Sequence, residues 1–234
     1  MKIERDILTN YSFIAILALM LLASFMIHPN EDYLYFRGLR TLVIISFIVI
    51  SLLNNCKNKL VMAFGLLYGC SSFFTLWYES ELWSVISMAF SFLSLMVLAL
   101  FLYKRLTFKG LRLYFIIALT IVVGILIWLD IFFLGMLSEV ETNSWLFKTI
   151  IAAVVGFFIL GILSFIYTNE TNSISSIFFV FFYIFLLFAE MFRGMGYYEF
   201  VDSVIGQYAA RLLLVISFYL LYCFCNKEKK KQIF

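Results

Sequence analysis

Eight long apolar runs restrict this chain more than any other feature. Each has about 20 residues, enough to cross a ~30 Å hydrocarbon core as a helix. They fall at 9–28, 38–54, 59–78, 82–103, 111–137, 144–168, 173–196 and 200–225. A water-soluble core cannot absorb that many such segments. The expected fold is therefore all-α: a polytopic membrane helical bundle of eight transmembrane helices. Charge supports lipid as the solvent, because only 13% of residues are charged, against about 25% in soluble domains. Mean hydropathy is +1.04. A single Pro in 234 residues leaves the helices uninterrupted.

Short polar joints separate the runs. The first is Pro29-Asn30-Glu31-Asp32 and the last is Tyr197-Tyr198-Glu199. The last is tight enough that one long final helix, giving seven spans, is the competing topology. Basic residues decide between the two, since Lys and Arg concentrate on the cytoplasmic side. Eight spans put Lys2, Arg5, Lys57, Lys59, Lys104, Arg105, Lys109, Arg112, Lys227, Lys229, Lys230 and Lys231 on one side. Arg37, Arg40, Lys148, Arg193 and Arg211 fall on the other, or within spans near it. Both termini are thus expected in the cytoplasm, and seven spans would expose the basic tail. Lys2 and Arg5 give the first run the start of a signal peptide. His28-Pro29-Asn30 follows it in place of a small-residue cleavage site, so a retained span is expected. With no linker or repeat visible, residues 1–234 form one membrane domain, expected in a bacterial cell membrane.

Several functions are disfavoured. The 29 Phe and 14 Tyr fit AT-rich coding better than a cofactor box. No basic face interleaved with aromatics offers itself to nucleic acid. The four Cys are scattered, and Cys223 and Cys225 point to different sides of a helix. With one His at a span boundary, no zinc-ligand set emerges. GxSxG, HExxH and P-loop motifs are absent. Lys148 lies in the first turn of its span, the wrong place for a retinal Schiff base. No cofactor or metal is expected, and the expected partner is membrane lipid.

Small and hydroxyl residues mark packing faces, because close approach of backbones holds helices together in lipid. Gly65, Gly69 and Ser72 form one stripe; Ser84, Ser87, Ser91 and Ser94 form another. Ala152 with Gly156, and Gly206 with Ala210, form two more.

Asp130, Lys148, Glu190, Arg193 and Arg211 lie inside apolar runs. At mid-bilayer each costs on the order of 2.5–3.5 kcal/mol, so such residues pair, face the interior or line water. Glu190 sits about two turns, ~10 Å, from the end of span 7, and Arg211 ~15 Å into span 8. Glu190 and Arg193 are neighbours on one helix face, with Tyr183 two turns earlier. Gln207 and Arg211 are likewise one turn apart, beside Tyr208. The expectation is a polar pocket between spans 7 and 8, open to the outer leaflet. A buried Glu–Arg helix lock is the structural alternative. Asp130 and Lys148 are expected to snorkel or to extend the pocket.

Several of these residues carry a resemblance. The chain resembles the lysoplasmalogenase-like (YhhN) family of eight-span membrane proteins over roughly spans 2 to 8. Leu66-Leu67-Tyr68-Gly69-Cys70 stands where the family has a Gly-Asp pair, and Ser91-Phe92-Leu93 is similar to its Ser-Phe-Leu run. Ala189-Glu190 stands for Ser-Asp, and Tyr208-Ala209-Ala210-Arg211 for Tyr-Ala-Ala-Gln. The resemblance implies vinyl-ether hydrolysis of lysoplasmalogens by intramembrane carboxylates, one protonating the vinyl ether and one assisting water. Here Cys70 replaces one carboxylate, and a thiol is no matched proton donor without strong tuning. The expectation is therefore a lysolipid binder with altered or lost hydrolysis, in which Arg193, Arg211, Tyr183, Gln207 and Tyr208 hold the ligand. The alternatives are a working hydrolase using Glu190, with Cys70 or Asp130 completing the site, and a non-catalytic structural or transport bundle.

Overall fold

The computed structural model describes residues 2–28, 33–54, 58–107, 113–200 and 202–231. The joint Pro29-Asn30-Glu31-Asp32, the cysteine Cys56, and Lys57, Lys109 and Arg112 of the charge pattern lie outside the described residues. Eight α-helices and no strand occur among those residues: α1 (Lys2–Met26), α2 (Tyr33–Leu53), α3 (Lys59–Phe74), α4 (Glu81–Tyr103), α5 (Leu113–Val140), α6 (Ser144–Thr171), α7 (Ile174–Tyr197) and α8 (Ser203–Lys231). A 3₁₀ turn, Thr75–Trp77, extends α3. Helices α2 to α8 are long and apolar enough to cross a membrane; the described apolar part of α1, Asn10–Met26, is shorter. The chain is all-helical and of multi-pass membrane character.

Polar joints start the helices by capping them. Asn58 accepts from the Leu60 and Val61 amides, and Asn143 from those of Trp145 and Leu146. Ser173 and Ser176 form a capping box, and Asp202 accepts from Val204 and Ile205. Each cap satisfies amides that the first helical turn leaves without partners, contributing about 1 kcal/mol.

The joints gather at two ends. At one, Arg105 of the α4 C-terminal joint bonds Glu228 of α8, and Ser175 of α7 donates to the same carboxylate. Asn54 and Asn10 both bond Tyr222 of α8 there. Burial alone would lower the Arg105 pKa, but Glu228 and the Tyr167 hydroxyl together outweigh it and the net shift is upward. At the other end Arg37 pairs with Glu79 at 2.7 Å. Tyr198 donates to Glu141 at 2.6 Å, and Tyr208 donates to the Ile27 carbonyl at 3.1 Å.

The α7–α8 joint reverses the chain. The Tyr198 amide bonds the Gly194 carbonyl, the Phe200 amide bonds Met195, and Glu199 between them has φ 59°. This is a helix stop usually given to glycine. α7 and α8 are consequently antiparallel partners, and one long final helix is not formed. Where they cross, a Cβ on Gly206 would stand 3.1 Å from Gly196 Cα.

The small-residue stripes face inward. Gly65 and Gly69 lie against Phe47, Ile48 and Ile44 of α2, and Gly156 against Phe92 and Leu95 of α4. Ser84, Ser87, Ser91 and Ser94 are all buried, with Ser87 donating to the Ser71 carbonyl at 2.9 Å. α5 is the exception. It packs chiefly on α6 and buries only Phe133 and Leu137.

Candidate functional site

Glu190 is on the last two turns of α7, where the helix faces α2 and α3. Both carboxylate oxygens are engaged. Oε2 accepts from Arg193 Nη2 at 2.6 Å and from Nε at 2.9 Å. Oε1 accepts from Arg40 Nη2 at 2.6 Å and from the Tyr68 hydroxyl. Arg40 also donates to the Tyr68 hydroxyl at 3.0 Å. Every described side-chain contact of Glu190 is one in which it accepts, as a carboxylate does. The cluster ties three helices together, and with the Glu190 side chain only 12% exposed it lies largely away from bulk water.

Arg211 occupies the third turn of α8 and is 5% exposed. It bonds the Phe36 carbonyl through Nη2 at 2.6 Å, and its guanidinium lies 4.4 Å from the Phe36 ring centre. It makes no bond to Glu190. Instead, Arg211 and Glu190 line one cavity together with Arg37, Arg40, Arg193 and Gln207. That cavity encloses about 580 Å³ including its open mouth. Arg37, paired with Glu79, is among its lining residues.

A second cavity, about 690 Å³ with its mouth, lies between α4, α5, α6 and α7. Its walls are mainly apolar, among them Phe133, Leu137, Ile150 and Phe157, with Asp130 on the α5 side. The two cavities share a wall made of Tyr78, Glu190, Arg193 and Tyr197. Phe133 is the side chain that α5 extends to α7, its ring lying over Gly194. Tyr198 also lines the apolar cavity. Burial, then Tyr78 and the Glu141 carboxylate, push its hydroxyl pKa up, so it stays a donor.

The expected site residues separate into three groups. Glu190, Arg193, Arg211 and Gln207 share the cationic cavity, and Asp130 lines the apolar one, as do Glu190 and Arg193. Tyr183 and Tyr208 line neither of these cavities. Tyr183 is buried against Gly161 of α6, and Tyr208 packs between Phe25 and Phe36. Cys70 is exposed and also lines neither. Lys148 is exposed with its ammonium 4.8 Å from the Trp145 ring centre, as a snorkelling residue would be. The pocket involves more helices than the α7–α8 pair that the sequence suggested. Arg40 and Tyr68 were the residues missed. The spacing of Arg37 and Arg40, which repeats that of Glu190 and Arg193, was the available signal. No group of three or more His, Cys, Asp or Glu suited to a metal occurs among the described residues. No family model, no curated protein and no solved structure matches this chain.

Proposed function

We propose that this is an eight-span membrane protein, both termini cytoplasmic, that binds a single-chain, lysolipid-type amphiphile between its helices. One observation carries this reading: a cationic cavity and an apolar cavity meet at a common wall. A ligand filling both needs a polar head and one apolar chain. The peripheral position of α5 supports entry of the chain from the bilayer, past Phe133.

The two-ended arrangement of the joints supports eight crossings. Asn10 near the start of α1 meets Tyr222 late in α8, while Ile27 after α1 meets Tyr208 early in α8. α1 therefore runs the length of the bundle antiparallel to α8. The end bearing Lys104, Arg105 and Lys227 is the cytoplasmic one by the positive-inside tendency, which leaves the cationic cavity facing the opposite leaflet.

On this reading the chain is a divergent relative of the lysoplasmalogenase-like family that binds without hydrolysing. Support comes from Glu190, whose two oxygens are already occupied by donors, and from the position of Cys70 outside both cavities. The test uses the purified full chain in nanodiscs. A fluorescent lysolipid should bind, and Ala153→Trp, which fills the apolar cavity, should weaken binding at least tenfold while the protein still folds. Lysoplasmenyl lipid should release no aldehyde. Release that disappears in Glu190→Gln would establish hydrolysis instead.

A further inference from the structure

The cationic cavity carries more positive charge than its own residues balance. Four guanidiniums line it, from Arg37, Arg40, Arg193 and Arg211, and Glu190 is the carboxylate among its lining residues. Arg37 is compensated by Glu79, at 2.7 Å. The remaining three share a single carboxylate. Arg40 and Arg193 take one oxygen each, at 2.6 Å. Arg211 has a backbone carbonyl and a ring face, neither of which carries net negative charge. Among the described residues, two positive charges of this interior cluster are left over.

The unmet hydrogen bonds lie on the same groups. Nε and Nη1 of Arg40, and Nε and Nη1 of Arg211, are buried without an acceptor. Both residues are 5% exposed. Buried donors without partners are rare in folded proteins, and here they coincide with the uncompensated charge, which favours an anion over a neutral group. Guanidinium planes favour carboxylate and phosphate, whose oxygens accept in pairs.

We infer that the head of the occupant is a phosphate monoester in its dianionic form, held between Arg40 and Arg211. This inference rests on the amphiphile proposal above and narrows it to one headgroup class. A phosphate monoester supplies close to two negative charges near neutral pH and three terminal acceptor oxygens. It thus meets both the charge excess and the free donors. A zwitterionic phosphodiester head, such as phosphocholine, brings no net charge. Its cation would also enter a cavity whose carboxylate is already bonded to Arg40, Arg193 and Tyr68. Gln207 and Tyr197 add neutral polar groups to the same wall.

The phosphate could belong to a lipid or be free, and a ligand panel separates the two. Binding to the unmodified full chain in neutral nanodiscs is measured at pH 7.5 for four probes. They are 18-carbon lysophosphatidic acid, lysophosphatidylcholine and monoacylglycerol of the same chain, and inorganic phosphate. The expected result is lysophosphatidic acid at least tenfold tighter than lysophosphatidylcholine, with inorganic phosphate competing only weakly. Arg211→Gln should lower lysophosphatidic acid affinity at least tenfold and leave lysophosphatidylcholine little changed; Arg211→Lys should retain most of the preference. Equal affinity for the two lysophospholipids overturns the charge inference and leaves the amphiphile site standing. Inorganic phosphate binding as tightly as the lipid overturns the lipid source. Binding of none of the single-chain probes overturns the amphiphile proposal itself. Because the panel uses the unmodified chain, it decides the matter even if an Arg211 variant fails to fold.

Discussion

Glu190→Gln removes the anion on which Arg40, Arg193 and Tyr68 converge, with almost no change in size. The introduced side-chain amide could accept through its single oxygen only, and its nitrogen would present N–H groups to one of the guanidiniums. Arg40 is 5% exposed and the Glu190 side chain 12%, so water cannot readily replace the lost partner. Breaking a buried ion pair from one side costs about 3–5 kcal/mol, most of it the cost of the charge left behind. Two pairs break here, but they share one carboxylate and do not add. At roughly 2–4 °C per kcal/mol for a domain of this size, the melting temperature should fall by roughly 6–20 °C. The assay is thermal unfolding of the detergent-solubilised full chain, followed by tryptophan fluorescence. Arg40→Met alone should be destabilising. Arg40→Met combined with Glu190→Gln should cost less than the sum, because Arg40→Met removes a charge that Glu190→Gln leaves without its partner. A Glu190→Gln protein that melts within about a degree of the parent, or strict additivity in the double variant, would refute the cluster as a buried, coupled unit.

Three further outcomes follow from the same geometry. Gly206→Ala places a methyl 3.1 Å from Gly196 Cα, which is backbone and cannot turn aside; it should cost about 1–3 kcal/mol and reduce ligand affinity, both measurable on the purified protein. Glu199→Gly should raise stability by up to about 1 kcal/mol, as removal of a left-handed penalty of roughly 1–2 kcal/mol is partly offset by glycine's greater freedom when unfolded. Green fluorescent protein fused after Phe234 should fluoresce, and alkaline phosphatase inserted in the 140–143 joint should be active; the reverse pattern would contradict the proposed orientation.

The helical scaffold is legible because it follows from hydropathy alone. All eight apolar runs coincide with helices, and the Asn58, Asn143 and Ser173 caps lie within or beside the polar joints that separate them. The Glu190–Arg193 pair is legible too, since three residues on a helix fix its geometry. Arg40 is not. Hydropathy starts the second run at residue 38, whereas α2 begins at Tyr33 and carries Arg40 two turns into the bundle. Charge counting makes it an interfacial residue. Tyr68 is hidden by its neighbour Cys70, which holds the position compared with a family carboxylate. The two lie on different sides of α3, one buried and one exposed. Arg211 falls at a plausible depth, yet its partner is the Phe36 carbonyl on another helix, which spacing within α8 cannot reveal. The α7–α8 turn lacks its usual marker because Glu199 holds the left-handed position. α5 offers no face to read: it is apolar all round, and its most apolar stretch is the least buried of the long helices.

Native mass spectrometry of the full chain, released from mild detergent, tests the proposed amphiphile site most directly. The expected spectrum contains the protein with one bound single-chain phosphate monoester lipid, and that adduct is lost in Ala153→Trp and in Arg211→Gln. A chain that appears bare even after incubation with lysophospholipids, or whose adducts persist unchanged in both variants, would contradict a shared amphiphile site.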